Sequence, residues 1–211
     1  MRVLVLAAHP DDEVLGAGAT IAKLAHAGHE IKIVTFTDGV GARGETNGRQ
    51  ISLQRSSQIL GAKGCRAYDF PDNRMDAVPL LDIIKVAECE IEEWNPRIIF
   101  THSRQCLNVD HRRVFEASLV ATRMSHAKIM SYEVLSSSEW NYGSPFRPNC
   151  YVDVTGYESF KISAMRDAYG DELRGNSHPR NLDTILDQMR VNGSACCVSY
   201  AERFEIIKEV L

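Results

Sequence analysis

Short β-branched runs alternate with helical periodicity five times within the first 135 residues, and no other feature of the chain restricts its fold as much. Strands are expected at 2–7, 31–37, 66–70, 97–101 and 128–134. Helices are expected at 13–28, 49–60, 80–94 and 110–124, the first stopping at Gly28 and the second at Gly61. A glycine-rich polar loop is expected at 40–48 and a turn at Pro71-Asp72-Asn73-Arg74-Met75-Asp76. Strand followed by helix, repeated, implies a parallel sheet covered on both faces. Five strands are too few for an eight-fold barrel, so a doubly wound, Rossmann-like α/β sheet of order 3-2-1-4-5 is the simplest right-handed solution. After residue 135 the alternation weakens. A strand at 150–154 and helices at 157–169 and 182–191, joined by Gly-Asp-Glu-Leu-Arg-Gly-Asn-Ser-His-Pro-Arg, make a C-terminal α/β elaboration (136–211) on a core (1–135) within one 211-residue domain.

Composition excludes several classes. A net charge of −4 with no lysine or arginine block does not suggest a nucleic-acid surface. No apolar run approaches the roughly 20 residues that span a bilayer. The N-terminal run lacks a basic lead-in and meets acids too soon for a signal peptide. The six cysteines (65, 89, 106, 150, 196 and 197) form no C-x-x-C pair. Buried reduced thiols and a cytoplasmic location are therefore expected. Self-association is left open.

In such a sheet, ligands bind beyond the carboxyl ends of the strands where strand order reverses, here between strands 1 and 4. The loop after strand 1 carries His9-Pro10-Asp11-Asp12, and strand 4 leads into Thr101-His102 and then Asn108-Val109-Asp110-His111. The topology thus brings two His- and Asp-bearing loops together from about a hundred residues apart. Imidazole and carboxylate both suit zinc, and a catalytic zinc site keeps three protein ligands and one open position. His9, Asp12 and His111 can supply the three, with Pro10 fixing the path between the first two. Asp11 then lies beside the open position, placed to take a proton from a metal-activated water. Hydrolysis of an amide or ester is the chemistry such a site suits.

Competing readings use the same residues. Asp12 can act as a plain helix cap. Gly16-Ala17-Gly18 with Asp38 twenty residues on is a partial dinucleotide fingerprint, but Ile21 holds the place of the third glycine and the acids would repel a pyrophosphate. A signalling receiver domain also has an acid pair after strand 1, binding magnesium. It needs an aspartate after strand 3 and a lysine after strand 5, and Asp69 and Lys128 are poorly placed for these.

The stretch from Ala7 to Gly39, with Arg49–Gly61 and Asn108–Val114, resembles the PIG-L/LmbE-like family of zinc-dependent N-deacetylases, which remove acetyl groups from amino sugars. His-Pro-Asp-Asp-Glu with a downstream Asp-His in an α/β frame is the specific part of that resemblance, which covers residues 1–135 well. It implies a Rossmann-like fold and Zn2+, or another divalent metal, on His9, Asp12 and His111. It further implies Asp11 as general base, Arg49 and Asp72 as sugar-hydroxyl contacts, and an N-acetylated amino sugar or conjugate as substrate. An exposed helix arginine and a turn aspartate are the plain alternatives for Arg49 and Asp72. Other small amides, or a non-enzymatic sugar- or nucleotide-binding module, remain the alternative functions.

Many members of that family have a histidine where this chain has Asn108. An amide can donate a hydrogen bond to an oxyanion but cannot deliver a proton. Asp11 is therefore expected to serve as base and then acid, with His102 in reserve. Asp110 is expected either to orient an imidazole of the metal site or to cap the helix it begins. In the less similar C-terminal third, Glu139, Trp140, His178 and Arg180 are expected to fold over the crevice mouth and help choose the substrate, a surface or capping place being the alternative for His178.

Overall fold

The computed structural model describes residues 1–39, 49–175 and 177–210, so the loop expected at 40–48 lies outside the described residues. The strands are β1 (Arg2–Ala7), β2 (Glu30–Thr35), β3 (Gly64–Ala67), β4 (Ile98–His102), β5 (Lys128–Tyr132), β6 (Cys150–Asp153) and β7 (Ala201–Lys208). The helices are α1 (Asp12–His26), α2 (Gln50–Leu60), α3 (Leu80–Trp94), α4 (Val109–Ala121), α5 (Glu158–Ala168) and α6 (Leu182–Ala195). None is long and apolar enough to cross a membrane.

The strands form one sheet of order β3-β2-β1-β4-β5-β7-β6. Its first five are parallel and follow the expected order. β7 then pairs antiparallel with both β5 and β6. The sequence reading assigns nothing to 201–208, because Ala-Glu-Arg-Phe-Glu-Ile-Ile-Lys lacks a clean apolar alternation. The cause is Glu202, a buried carboxylate on a strand where a hydrophobe would be looked for. β3 also starts and ends earlier than the expected 66–70.

Both faces of the sheet are covered, which is why β1 reads as an unbroken apolar run. Val3 and Val5 pack toward α1, α2 and α5, in a core that includes Leu53, Leu60, Met165 and Tyr169. Leu4 and Leu6 point the other way, to Ile83, Ala87 and Ile91 of α3 and Val114 and Ala117 of α4. Each fully buried side chain of this size contributes about 1.5–3 kcal/mol relative to exposure.

Helix α1, which carries the acids, is bent at Ala17 (φ −143°). A break in a buried helix strands polar backbone groups, and these must be satisfied. Glu202 does this from β7, accepting from the Ala19 and Thr20 N–H groups at 3.2 and 2.7 Å. The buried Lys161 of α5 donates to the Leu15 carbonyl and to Glu202, both at 2.7 Å. The glycines that resemble a dinucleotide fingerprint lie within this helix. A Cβ on Gly16 would come within 2.1 Å of the Tyr132 ring, so that glycine allows close helix–sheet approach instead of cradling phosphate.

Candidate active site

At the carboxyl ends of β1 and β4 the chain leaves the sheet on opposite sides, and the acids and imidazoles of the two loops gather between them. His9 follows β1, His102 ends β4, and Asp110 and His111 lie in the first turn of α4. Asn108 caps that helix, its Oδ1 accepting from the Asp110 N–H at 2.8 Å and the His111 N–H at 3.4 Å. The cap expected of Asp110 therefore belongs to Asn108. Asp110 instead accepts from the Asn73 and Met75 N–H groups at 2.6 and 3.0 Å and lies 3.0 Å from His9 Nε2. Asp72 Oδ1 is 3.1 Å from the same nitrogen.

His9 Nδ1, Asp12 Oδ2 and His111 Nε2 form a nearly equilateral triangle. The two nitrogens are 3.2 Å apart, His9 Nδ1 to Asp12 Oδ2 is 3.1 Å, and His111 Nε2 to Asp12 Oδ2 is 3.2 Å. A tetrahedral zinc with ligands at about 2.0–2.1 Å needs three donors about 3.3 Å apart, so the spacing fits one face of such a site. Asp12 Oδ2, the oxygen at this corner, accepts the His9 N–H at 2.8 Å, while Oδ1 of the same carboxylate is buried without a hydrogen-bond partner among the described residues and keeps lone pairs that a cation would satisfy. A second grouping that could hold an ion, His9, Asp72 and Asp110, uses the other nitrogen of His9. We favour the first, because both oxygens of Asp110 already accept backbone N–H groups, whereas Asp12 accepts one and leaves Oδ1 unpartnered among the described residues. Asp110 and Asp72 can then hold the Nε2 proton of His9 and leave Nδ1 to the triangle.

The electrostatics leave a neutral imidazole at the His111 corner and an ionised carboxylate at the Asp12 corner. Burial pushes the His111 imidazole down to about 3 despite the Asp12 carboxylate beside it. For Asp12, burial alone would raise the carboxyl, but His111 and His102 hold it well below the usual range. For His9, burial opposes protonation, and the contacts with Asp110, Asp12 and Asp72 outweigh it and raise the imidazole. Behind His111 lies the buried Cys106, whose Sγ is 3.0 Å from His111 Nδ1.

Asp11 occupies the N-cap position of α1 in a left-handed conformation (φ 118°) that disfavours a non-glycine residue. Its N–H donates to Glu13 Oε2 at 3.0 Å, and Glu13 Oε1 accepts from Ser56 and Tyr169 hydroxyls, both at 2.7 Å. Its Oδ2 accepts from Arg180 Nη1 at 2.9 Å. Burial pushes the Asp11 carboxyl up to about 7, against the pull of that guanidinium.

A polar cavity of about 170 Å³ opens onto these groups, walled by His9, Asp11, Asp72, Asn108 and His111 from the first 111 residues at the strand ends and by Arg49, Glu172 and Arg180 from the N-cap of α2, the turn after α5 and the loop before α6. Arg49 is thus a cavity residue, ion-paired to Glu172, and not an exposed helix arginine. His102 is not part of the wall. It is fully buried behind Asp12, stacked on His111 at 3.9 Å, and its Nε2 accepts the Ala8 N–H at 2.8 Å, so it has no path to a leaving group. Trp140 and His178 do not line the cavity either. They meet edge-on at 6.0 Å, with Trp140 43% exposed, and His178 Nδ1 accepts the Arg180 N–H. Glu139 likewise supports the wall from outside, accepting the N–H of Ser136, a wall residue. Glu172, Asn73, Ser136 and Ser137 were not singled out from the sequence. A charged residue in a turn-rich stretch reads as solvated surface, and only the fold of α5 carries Glu172 inward.

Fold and site together define a doubly wound α/β protein with a candidate His-Asp-His metal centre at its topological switch point. The chain belongs to the PIG-L family: residues 4–122 match the family described as PIG-L, GlcNAc-PI de-N-acetylase. It is 38% identical over 183 residues to the diacetylchitobiose deacetylase of Thermococcus kodakarensis, covering 78% of this chain and 68% of the relative. It is 30% identical over 171 residues to a protein of Escherichia coli K12 described as uncharacterized deacetylase YaiS, covering 78% and 88%. Among solved structures, GalB of Pseudomonas putida KT2440, a 4-carboxy-2-hydroxymuconate hydratase, superposes with a TM-score of 0.80 at 19% identity over 100% of this chain and 97% of that one. That likeness concerns the fold alone.

Proposed function

We propose that this protein is a metal-dependent hydrolase that removes the acetyl group from an N-acetylated amino sugar or its conjugate. The observation that carries the reading is the His9–Asp12–His111 triangle with the Asp11 carboxylate beside it, at the mouth of a polar cavity. Relatives named as deacetylases support the choice of an amide substrate over the hydration that the same fold also hosts.

A divalent cation on these three side chains, zinc in our reading, would polarise the substrate carbonyl and lower the pKa of the attacking water. Asp11 takes the proton from that water and returns it to the departing amine. Asn108 lies at the cavity wall, where its amide N–H can face the developing oxyanion, although Nδ2 now donates to Asn73 Oδ1 at 3.1 Å and would have to share that bond. Asp110 keeps His9 turned toward the triangle. Arg49 and Asp72 flank the cavity as donor and acceptor for sugar hydroxyls.

Acetate release tests this directly. N-acetylglucosamine, N,N′-diacetylchitobiose, a nucleotide sugar and an N-acetylglucosaminide are each incubated with the protein, with and without a chelator, and zinc is then added back. We expect chelator-sensitive acetate from at least one, restored by metal. No acetate from any of them, with bound zinc verified, would remove the reading.

A further inference from the structure

Asp11 is gripped at two points, and both grips trace back to one turn at the end of α5. Tyr169 is fully buried and donates to Glu13, which accepts the Asp11 N–H. Three residues later Glu172, 1% exposed, accepts from Arg180 Nη1 at 3.0 Å, and the same Nη1 donates to Asp11 Oδ2 at 2.9 Å. Glu172 also pairs with Arg49 and, at 3.3 Å, with Arg174. The Arg180 loop is closed on itself, the Arg174 N–H donating to the Arg180 carbonyl at 2.8 Å and the Arg180 N–H to His178 Nδ1 at 3.0 Å. No hydrogen bond engages Asp11 Oδ1 among the described residues.

From this geometry we propose that Arg180 is the positioning residue of Asp11 and that Glu172 is the buried anchor that holds Arg180 in place. Resting on the reading of Asp11 as proton carrier, the assignment gives the two carboxylate oxygens different tasks. Oδ2 is fixed by the guanidinium, and Oδ1 carries the proton. A carboxylate on a strained backbone can rotate about two side-chain bonds, and a guanidinium held by a separate segment of the chain removes that freedom. Arg180 is itself a long side chain with much rotamer freedom to lose, and a buried carboxylate behind it supplies the restraint. Both residues lie beyond 122, outside the segment that matches the family. The C-terminal elaboration therefore completes the proton-transfer half of the site.

The test uses the substrate of highest turnover among the N-acetyl sugars above. Arg180→Ala is expected to lower kcat by about 10- to 100-fold, as loss of a charge-assisted hydrogen bond does, with KM within about threefold and zinc content as in the parent. Guanidinium at millimolar concentration should restore part of that kcat and leave the parent unchanged, a response that a merely structural role would not give. Glu172→Gln, which frees Arg49 as well, should lower kcat and also raise KM. The double variant should have a kcat no lower than Arg180→Ala alone, because both changes act on one contact. Should Arg180→Ala not fold, Arg180→Lys keeps the charge without the fork and should still lose kcat. In crystal structures the Asp11 carboxylate should turn in Arg180→Ala while His9, Asp12 and His111 stay in place. Parent-like kcat in both Arg180 variants, no rescue, or an unmoved carboxylate would overturn the proposal. Asp11→Asn separates it from the reading beneath. An inactive Asp11→Asn beside a fully active Arg180→Ala refutes the arginine alone, whereas a fully active, zinc-loaded Asp11→Asn refutes both.

Discussion

The two walls of the cavity are built by different means. The wall of His9, Asp11 and His111, backed by the buried Asp12, takes its groups from loops that the parallel sheet brings together at its switch point, with His9, Asp11 and Asp12 in one motif. The wall of Arg49, Glu172 and Arg180 takes its groups from the N-cap of α2, from the turn after α5 and from the loop before α6, with no short spacing among them. The first wall is set by topology and helix caps. The second is set by a buried carboxylate that gathers guanidinium groups. A motif-borne wall can recur wherever the sheet recurs, and a gathered wall depends on how one chain folds its C-terminal segment. On the function proposed above, reaction class would follow the first wall, and alignment of Asp11 would follow the second.

The largest expected effect breaks the first wall. His111→Ala removes one corner of the triangle and leaves Asp12 without the partner that most lowers its carboxyl. Zinc stoichiometry should fall well below that of the parent, and acetate release should drop at least about 1,000-fold, since metal-assisted chemistry supplies several kcal/mol. Full zinc occupancy in His111→Ala would show that the ion sits in the alternative grouping of His9, Asp72 and Asp110.

A smaller effect, on stability, asks whether the C-terminal segment also holds the first wall. Glu202→Ala deletes the carboxylate that satisfies the bend in α1 and leaves Lys161 buried without its counter-charge. Breaking a buried pair from one side costs about 3–5 kcal/mol. The urea midpoint should fall at unchanged slope, by that loss divided by the slope. A loss below about 1 kcal/mol would mean that water or a rearranged helix takes over, and that α1 does not depend on β7.

These contrasts match what could be read from the sequence. The five-strand order and the meeting of the two loops follow from hydrophobic period and connection rules, which act over short windows. Asp11, Asp12 and His9 stand in one motif beside a buried strand, where such charge is conspicuous. Glu172 and Glu202 carry the same chemistry but sit among other charged residues, in Gly-Asp-Glu-Leu-Arg and Ala-Glu-Arg-Phe-Glu. Their burial comes from tertiary pairing with Arg180 and Lys161, which no local pattern encodes. His102 misleads in the opposite way. Its place at the end of β4 is right, but its ring faces the Ala8 N–H behind Asp12 and not the cavity.

The smallest effect comes from a third buried carboxylate that serves as a control for Glu172. Glu90 of α3 is fully buried, 2.7 Å from Lys32 Nζ and bonded to Arg66 and the Tyr68 hydroxyl at 2.8 and 2.7 Å, with Glu93 nearby on the same cations. None of these residues lines the cavity. Burial alone would raise the Glu90 carboxyl, but Lys32, Tyr68 and Arg66 hold it below its ordinary value of 4.5. A carboxyl lowered in the folded state stabilises above its unfolded value, and that contribution is lost as pH falls from about 4.5 through the lower folded value. Glu90→Gln should therefore destabilise the protein at pH 7 by about 1 kcal/mol, and the gap to the parent should narrow as the pH is lowered below 4.5. Because Arg66 is half exposed, water can replace part of what is lost, which keeps the effect below that of Glu202→Ala. At neutral pH kcat should not change. If Glu90→Gln lowered kcat as Glu172→Gln does, a buried carboxylate clasping cations would matter to turnover wherever it lay in the fold, and the division between a chemical wall and a gathered wall would fail.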